Sequence, residues 1–243
     1  MVRGKMIILG FDTATPVTSI GLADENRVLA DLSLVSEKTQ VERLMPLIDL
    51  ILTQANVTVR DLDGIAVGLG PGLFTSLRIG VTTARTLAQV LKIPIVGVSS
   101  LDTLAYSLAH SSALICAVID AKRREVFSAL YEGIEGEIRQ VGPEKVVSPE
   151  DLIQELSRLE REVILIGDGA WLYRDLFLGK LTGKTEVAPA FFGYPRASNL
   201  ISLSSPKFLA EPATSRAEDV YKLVPTYIRR SDAEIAYERK RLR

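Results

Sequence analysis

The chain has 243 residues, of which 47% are hydrophobic and 24% are charged, and its formal net charge is -1 with a pI near 6.0. This composition excludes disorder as the default and supplies enough apolar residues for one large core or two smaller ones. The near-neutral charge argues against a chain that holds nucleic acid by itself, although a local basic patch would still contribute to a shared site.

Strand and helix signals alternate through the first half of the chain. The predicted elements are the strands IILGF, SIGLA and RVLADLSLV, a helix at about 39–55, the strand GIAVGLG, a helix at about 75–91 and the strand IPIVGV. This order predicts an α/β sheet with helices packed on it.

A weak internal repeat begins near the middle of the chain. Ile7 to Leu22 and Ile115 to Leu130 share an apolar strand, an aspartate, a short polar turn and a second apolar strand. The aspartates, Asp12 and Asp120, both stand ten positions before the final leucine. Two such hairpins predict two related domains with a cleft between them, and chance similarity of two hairpins is the alternative.

The second half of the sequence is less regular. The expected organisation is a first domain at 1–112, a second domain at 113–224 and a basic tail at 225–243 that packs partly on the body. A strand at REVILIG, a turn at Gly167 to Gly169 and a helix at about 149–160 are predicted, whereas 191–206 receives no assignment. The arginine-rich end, Arg229 to Arg243, is interpreted as a solvated, partly helical tail, with contact to RNA or a partner as the alternative.

The cysteine count and the apolar runs indicate a cytoplasmic protein. A single cysteine, Cys116, excludes an internal disulfide framework and is typical of a reducing compartment. No N-terminal targeting signal is expected, because Met1 to Lys5 leads directly into a strand-like run. Polar residues interrupt the longest apolar stretch, 104–119, so no membrane span is expected.

The run GLGPGLFTSLRIG, Gly68 to Gly80, marks a strand-loop-helix junction. Its glycines allow the backbone to turn sharply and to approach another surface closely, which suits either phosphate binding or close packing. The common phosphate-loop pattern fails because Arg78 stands where a lysine is needed, and the dinucleotide pattern fails because no third glycine follows Gly72.

Five motifs occur in one order along the chain: ILGFDTAT, GLGPGLFTSLRIG, IPIVGVSSLDTLA, VIDAKRREVFSALY and VPTYIRR. In these motifs the chain resembles the bacterial TsaB family, also called YeaZ, from Met6 to Arg230. The resemblance implies an α/β protein of the actin-like, sugar-kinase and Hsp70-type ATPase fold. Its two related domains would each begin with a hairpin that carries an aspartate, as the internal repeat does.

The same resemblance implies a role in making threonylcarbamoyladenosine beside the anticodon of tRNAs that read codons starting with A. Members of the family are non-catalytic and pair with a homologous catalytic subunit, TsaD, together with a small ATPase, TsaE. A homodimer in isolation and an indirect contact with tRNA through the complex are also implied. The alternatives are a stand-alone ATPase or kinase of the same fold and a metallopeptidase-like glycoprotease, an older label.

The resemblance implies neither catalytic residues nor a metal site in this chain. The catalytic relative binds a metal through two histidines four positions apart, and the matching positions here are Ser100 and Leu104. Leucine cannot ligate a metal and serine is a poor substitute for imidazole. His110 is expected at the surface or in light packing, and Cys116 is expected to be an inert core thiol.

A vestigial nucleotide site is the remaining candidate for ligand binding. Its residues would be Asp12, Thr13, Gly70, Gly72, Asp120, Gly167 and Gly169. Both of its turns depart from a working phosphate cradle, because Pro16 stiffens the first and the charged run Lys122 to Glu125 crowds the second. No intrinsic cofactor is therefore expected, and ATP or ADP is favoured only at an interface with a partner.

Two helices are candidates for binding that partner. The helix at about 39–55 carries apolar residues on two faces, one for the sheet and one for a partner, with a wide, deeply buried helix as the alternative. The helix at about 75–91 concentrates small residues that let another helix approach closely. In the resembling family these helices form the association surface, which carried onto this chain comprises Leu47, Leu50, Ile79, Val81, Arg85 and Leu87.

Overall fold

The first half of the molecule is built on a five-stranded sheet with the order β3-β2-β1-β4-β5. The computed structural model describes residues 6–35, 40–181, 183, 185–210 and 219–229. The strands are β1 (Ile8–Asp12), β2 (Val17–Ala23), β3 (Val28–Val35), β4 (Gly64–Gly68) and β5 (Ile95–Val98). The first three strands are antiparallel, whereas β4 and β5 continue the sheet in parallel with β1. Every residue of β1, β2 and β4 is buried, so other elements must cover both faces of this sheet.

Two helices cover one of those faces. The helices of this region are α1 (Gln40–Gln54), α2 (Phe74–Leu91) and the short α3 (Ser100–Ala105). Side chains from β1, α1 and α2 form a single apolar cluster, which includes Leu9, Phe11, Leu44, Ile48 and Val81. The predicted helices at 39–55 and 75–91 are therefore confirmed to within one residue at each end.

The second half contains a six-stranded sheet with the order β11-β10-β6-β7-β8, and β9 pairs with β7. Its strands are β6 (Leu114–Lys122), β7 (Glu125–Ile134), β8 (Glu137–Gln140), β9 (Lys145–Val147), β10 (Val163–Ile166) and β11 (Thr185–Val187). Its helices are α4 (Pro149–Leu156), α5 (Asp168–Leu172) and α6 (Arg174–Lys180). The helix predicted at 149–160 begins as expected, with Ser148 as its N-cap and Pro149 in its first turn, but ends at Leu156.

The two halves share one arrangement. In the first half, β1 and β2 form an antiparallel hairpin and β4 lies parallel to β1 on its other side. In the second half, β6 and β7 form the hairpin and β10 takes the parallel position. Asp12 ends β1, and Asp120 lies near the end of β6. The hairpin repeat predicted from the sequence is therefore a repeat of structure.

The other face of the first sheet is covered by a helix that comes late in the sequence. This helix, α7 (Ala197–Ala210), packs against β1 and β2, and the short α8 (Asp219–Lys222) packs against α2. The Ala197 amide donates a 2.8 Å hydrogen bond to Ser19 Oγ on β2. A Cβ atom at Gly10 would stand 2.5 Å from Ile201 Cγ1, so α7 approaches the sheet where β1 has no side chain. The range 113–224 expected for a second domain thus includes a helix that packs on the first sheet.

None of the described helices is both long and apolar enough to cross a membrane.

Substitution of Gly10 tests the packing of α7. We expect Gly10→Ala to lower the free energy of unfolding by about 1–3 kcal/mol, because the new methyl group must displace Ile201 in a filled core. The matched control is Gly179→Ala in α6, where a Cβ atom meets nothing within 4 Å. Alanine there should be neutral or stabilising by up to about 1 kcal/mol. Urea denaturation of both variants measures the difference, and equal midpoints would contradict the packing of α7 on β1.

Candidate functional site

A cavity of about 380 Å³ lies between the two halves. Its first wall is Gly72 to Thr75, at the start of α2, and its second wall is Asp120 to Arg123 with Phe127. Thr226 to Arg229, near the end of the chain, complete the lining. Two of the seven candidate nucleotide residues, Gly72 and Asp120, therefore face one cavity.

Asp12 does not line this cavity, because its carboxylate is buried in a hydrogen-bond network. The Ala14 amide donates to Asp12 Oδ1 at 2.7 Å, and Ser100 Oγ donates to Asp12 Oδ2 at 2.6 Å. The Gly70 amide donates in turn to Ser100 Oγ at 3.2 Å. Burial raises the pKa of Asp12, and the bonds from Ser100 and Ala14 oppose that rise. We call this set the Asp12 network. It joins β1, α3 and the loop at 69–73 between β4 and α2, which we call the glycine loop.

The glycine loop packs closely against the turn that follows β1. The Leu73 amide donates to the Ala14 carbonyl at 2.8 Å, and a Cβ atom at Gly72 would overlap that carbonyl. Thr13 Oγ1 donates to the Ser76 carbonyl at 2.8 Å. Gly70 has φ = 92°, in the left-handed region that favours glycine. Of the two interpretations of GLGPGLFTSLRIG, close packing is therefore the one observed.

The second half brings Asp120 together with the GDG turn. The Asp120 amide donates to Asp168 Oδ1 at 3.0 Å, and a Cβ atom at Gly169 would stand 3.0 Å from that amide nitrogen. Gly167 has φ = 127° and lies against the Val118 carbonyl. Burial raises the pKa of Asp168 to about 6. Gly167 and Gly169 were predicted as site residues, whereas Asp168 between them was not, although the GDG motif contains it.

The β6–β7 turn has an unusual backbone. Lys122, Arg123 and Arg124 all adopt left-handed conformations, with φ of 62°, 57° and 61°. Each such non-glycine residue costs about 1–2 kcal/mol, so surrounding bonds must hold the turn. Asp120 accepts from the Lys122 amide at 2.8 Å and from Lys122 Nζ at 2.6 Å. The bond between the two side chains raises the pKa of Lys122. We call these three residues the basic turn; all three side chains are exposed.

The end of the described chain joins the two halves. The Thr226 amide donates to the Leu69 carbonyl at 2.8 Å, on the first half. Arg229 Nη1 donates to the Ala121 carbonyl at 3.0 Å and lies 3.2 Å from Glu125, on the second half. VPTYIRR contributes to the family resemblance, but nothing in its residue pattern predicted this bridging role. The predicted tail residues 230–243 lie outside the described residues.

An aromatic pair stands beside this bridge. The rings of Phe74 and Tyr227 are 4.9 Å apart between centroids and inclined at 33°. The Arg78 guanidinium lies 3.9 Å from the centre of the Phe74 ring, and Arg78 Nε donates to the Tyr227 hydroxyl at 3.0 Å. These contacts fix Tyr227 at the mouth of the cavity.

The expected partner surface needs a correction. Leu47 and Val81 are 9% and 2% exposed and belong to the core cluster, so their side chains are not available to a partner. Because α1 and α2 also pack on each other, the buried arc of each helix is wider than its main apolar stripe. Leu50 is 46% exposed, whereas Arg85 lies against the ring of Tyr221 in α8.

One flank of α2 remains available. Its members recur at helical spacing: Ile79 and Leu87 are half-buried, and Val90 is 72% exposed. Two predicted interface residues, Ile79 and Leu87, thus lie on one flank with a strongly exposed valine. We call this set the α2 flank.

The positions compared with the metal-binding histidines are both buried in α3. Ser100 belongs to the Asp12 network, and Leu104 is fully buried in an apolar cluster. His110 is exposed, as predicted. Cys116 is buried in the core, as predicted, and burial raises the pKa of its thiol to about 12, which disfavours the reactive thiolate. Within the described ranges, no group of three or more His, Cys, Asp or Glu side chains is arranged to hold a metal ion.

Comparisons with known proteins agree with this architecture. A family model described as "TsaD: tRNA N6-adenosine threonylcarbamoyltransferase" matches residues 34–237. The chain is 36% identical to the tRNA threonylcarbamoyladenosine biosynthesis protein TsaB of Bacillus subtilis, over 94% of this chain and 96% of that protein. It is 31% identical to the Escherichia coli protein of the same name, over 89% and 94% of the two chains.

A solved structure agrees as well. YeaZ from Pseudomonas aeruginosa superposes with a TM-score of 0.73 at 27% identity, over 91% of this chain and 99% of that one. The predicted family resemblance and the predicted actin-like α/β fold class are therefore confirmed.

The raised pKa of Asp168 predicts a pH-dependent stability. The folded state binds a proton on Asp168 more tightly than the unfolded chain, whose pKa is near the ordinary value of 3.8. The contribution of this group to stability is therefore fully present below about pH 4 and is lost as the pH rises through about 6. Relative to Asp168→Asn, the wild-type chain should lose on the order of 2 kcal/mol between about pH 4 and pH 7.

Urea denaturation of both proteins across this range measures the effect. Asp175→Asn, which changes a fully exposed side chain in α6, is the matched control. A difference between wild type and Asp168→Asn that stays constant with pH would contradict the raised pKa.

Proposed function

The chain belongs to the TsaB family, and on that premise we propose that it is a non-catalytic subunit of a tRNA-modifying complex. The complex would install the threonylcarbamoyl group on the adenosine next to the anticodon of tRNAs that read codons starting with A. Two relatives carry the name tRNA threonylcarbamoyladenosine biosynthesis protein TsaB, and together they supply the substrate class.

The Asp12 network is the observation that carries the non-catalytic role. Ser100 stands where the catalytic relative is expected to place a metal-binding histidine, and its hydroxyl both donates to Asp12 and accepts from Gly70. Because the fully buried Ser100 hydroxyl makes both of its hydrogen bonds within the chain, it is a structural group. The first half therefore supports a framework role, and a homologous TsaD-like subunit would supply the chemistry.

The α2 flank and Leu50 on α1 support the choice of that partner. They offer exposed or half-buried apolar side chains on two helices, which suits helix-on-helix association with a subunit of the same fold. The same surface would serve a homodimer in isolation. A TsaE-like ATPase in the complex and a cytoplasmic location belong to the proposal through the family alone.

ATP or ADP at an interface with a partner also belongs to the proposal, and the cavity between the two halves is the part of that site that this chain would supply. The cavity volume of about 380 Å³ lies within the range of roughly 300–1,000 Å³ that is usual for small-molecule sites. Gly72 and Asp120 on its walls support this location. Asp12 and Thr13 are buried side chains, which argues against a site complete within this chain.

Charge at the α2 flank tests the proposed function. We expect Val90→Glu, and separately Leu50→Glu, to weaken binding to the TsaD-like subunit by about tenfold or more, because each buries a carboxylate in an apolar interface. The matched control is Leu209→Glu, at an exposed leucine on α7, which lies on the opposite face of the sheet. Val81→Glu would not serve, because a buried charge there would unfold the core.

Co-elution with the TsaD-like subunit measures binding, and threonylcarbamoyladenosine formation by the reconstituted components measures function. Both should fall together in the two interface variants and stay unchanged in the control. Normal binding by both variants would refute the assignment of the α2 flank and Leu50 to the partner interface. An undiminished rate of modification without this chain would refute the function.

A further inference from the structure

The basic turn and the aromatic pair meet at the mouth of the same cavity. Lys122 and Arg123 of the turn line it, as do Phe74 and Tyr227. We propose that this rim binds a single-stranded segment of RNA directly, with backbone phosphates on the basic turn and one base stacked on Tyr227. The inference rests on the proposed function, which supplies an RNA substrate but requires only an indirect contact with it.

The local charge favours a polyanion although the chain as a whole is nearly neutral. The cations around the cavity are Arg78, Lys122, Arg123, Arg124 and Arg229, and the carboxylates are Asp120, Glu125 and Asp168. Asp120 is paired with Lys122 and Glu125 with Arg229, so two of these three carboxylates are neutralised by neighbouring cations. The three consecutive exposed cations of the basic turn attract phosphates, whose contacts supply most of the affinity in non-specific binding.

Hydrogen bonds within the chain brace the backbone at the start of the basic turn. The Lys122 amide is bonded to Asp120, and the Ala121 carbonyl accepts from Arg229. A cationic loop that is already ordered loses little conformational entropy on binding. The left-handed backbone therefore presents three exposed cations at a fixed place beside the cavity.

The aromatic pair distinguishes RNA from an acidic protein surface. Tyr227 is 43% exposed, while Phe74 and Arg78 hold its ring from the side of α2. An exposed, oriented ring next to a phosphate-binding turn is the arrangement by which proteins hold single strands, because every base can stack on it. An acidic protein would engage the cations and leave the ring and the cavity unused.

Fluorescence anisotropy with a fluorescein-labelled, unmodified tRNA transcript tests the inference on the full-length chain. The variant Arg123→Asn/Arg124→Asn removes two cations, and asparagine tolerates the left-handed backbone. The matched control is Lys92→Asn, at an exposed cation with φ = 56°. A second variant, Tyr227→Leu, removes the stacking surface.

We expect the double variant to bind about tenfold more weakly, and its plot of log affinity against log salt, between about 50 and 200 mM, to be shallower by about two. Tyr227→Leu should lose about tenfold in affinity with an unchanged salt slope. Lys92→Asn should match wild type in both. This pattern would support direct contact with RNA.

Three results would overturn the inference. They are no salt-dependent binding of tRNA by the wild-type chain, an unchanged tRNA affinity and salt slope in the double variant, or a double variant that loses binding of ADP and keeps binding of tRNA. Co-elution with the TsaD-like subunit is measured on the same variants. If the double variant loses only that partner, the turn contacts a protein and the inference fails. Failure of RNA binding with intact partner binding leaves the proposed function standing, whereas a wild-type chain that does not bind the partner refutes the function itself.

Discussion

The burial of one carboxylate, Asp12, is the constraint on which the first half of the molecule depends. A buried carboxylate is costly unless its oxygens accept hydrogen bonds, and here Ala14 and Ser100 supply them. Because Ser100 also accepts from Gly70, the end of β1, the glycine loop and α3 must be held together. Loss of any one partner would leave a buried polar group unsatisfied, so Gly70 and the end of β1 are committed to packing within the chain.

The second half places the corresponding aspartate in a different environment. Asp120 lies at the edge of the cavity, bonded to Lys122 and next to Asp168. The two halves thus share a hairpin and an aspartate, but Asp12 is fully buried away from the cavity, whereas Asp120 lines the cavity with a side chain that is 9% exposed and paired with Lys122. The polar and aromatic side chains that a ligand in the cavity could contact therefore belong mainly to the basic turn, the aromatic pair and Arg229.

Much of the fold was predictable because strands and helices leave periodic patterns in the sequence. The hairpin repeat and the limits of α1 and α2 were predicted correctly from such patterns. The packing of α7 was not, since its region mixes Ser, Pro and aromatic residues without a stripe, and the sequence does not say which sheet it covers. Leu47 and Val81 were misassigned because helical spacing gives relative directions on a helix and not the width of the buried arc. The left-handed basic turn had no signal of its own, because lysine and arginine are not typical of that backbone.

The most direct test of a structural role for Asp12 is Asp12→Asn in the reconstituted modification reaction. Asparagine has the same shape: its carbonyl accepts from the Ala14 amide and its NH2 donates to Ser100 Oγ, which still accepts from Gly70. The substitution therefore removes the buried charge and costs only the acceptor of the Ser100 hydroxyl hydrogen. The predicted result is a chain that folds, binds the TsaD-like subunit and supports threonylcarbamoyladenosine formation at the wild-type rate. A folded, partner-binding Asp12→Asn chain that supports little or no modification would contradict the account, because it would show that the charge of Asp12 takes part in the reaction.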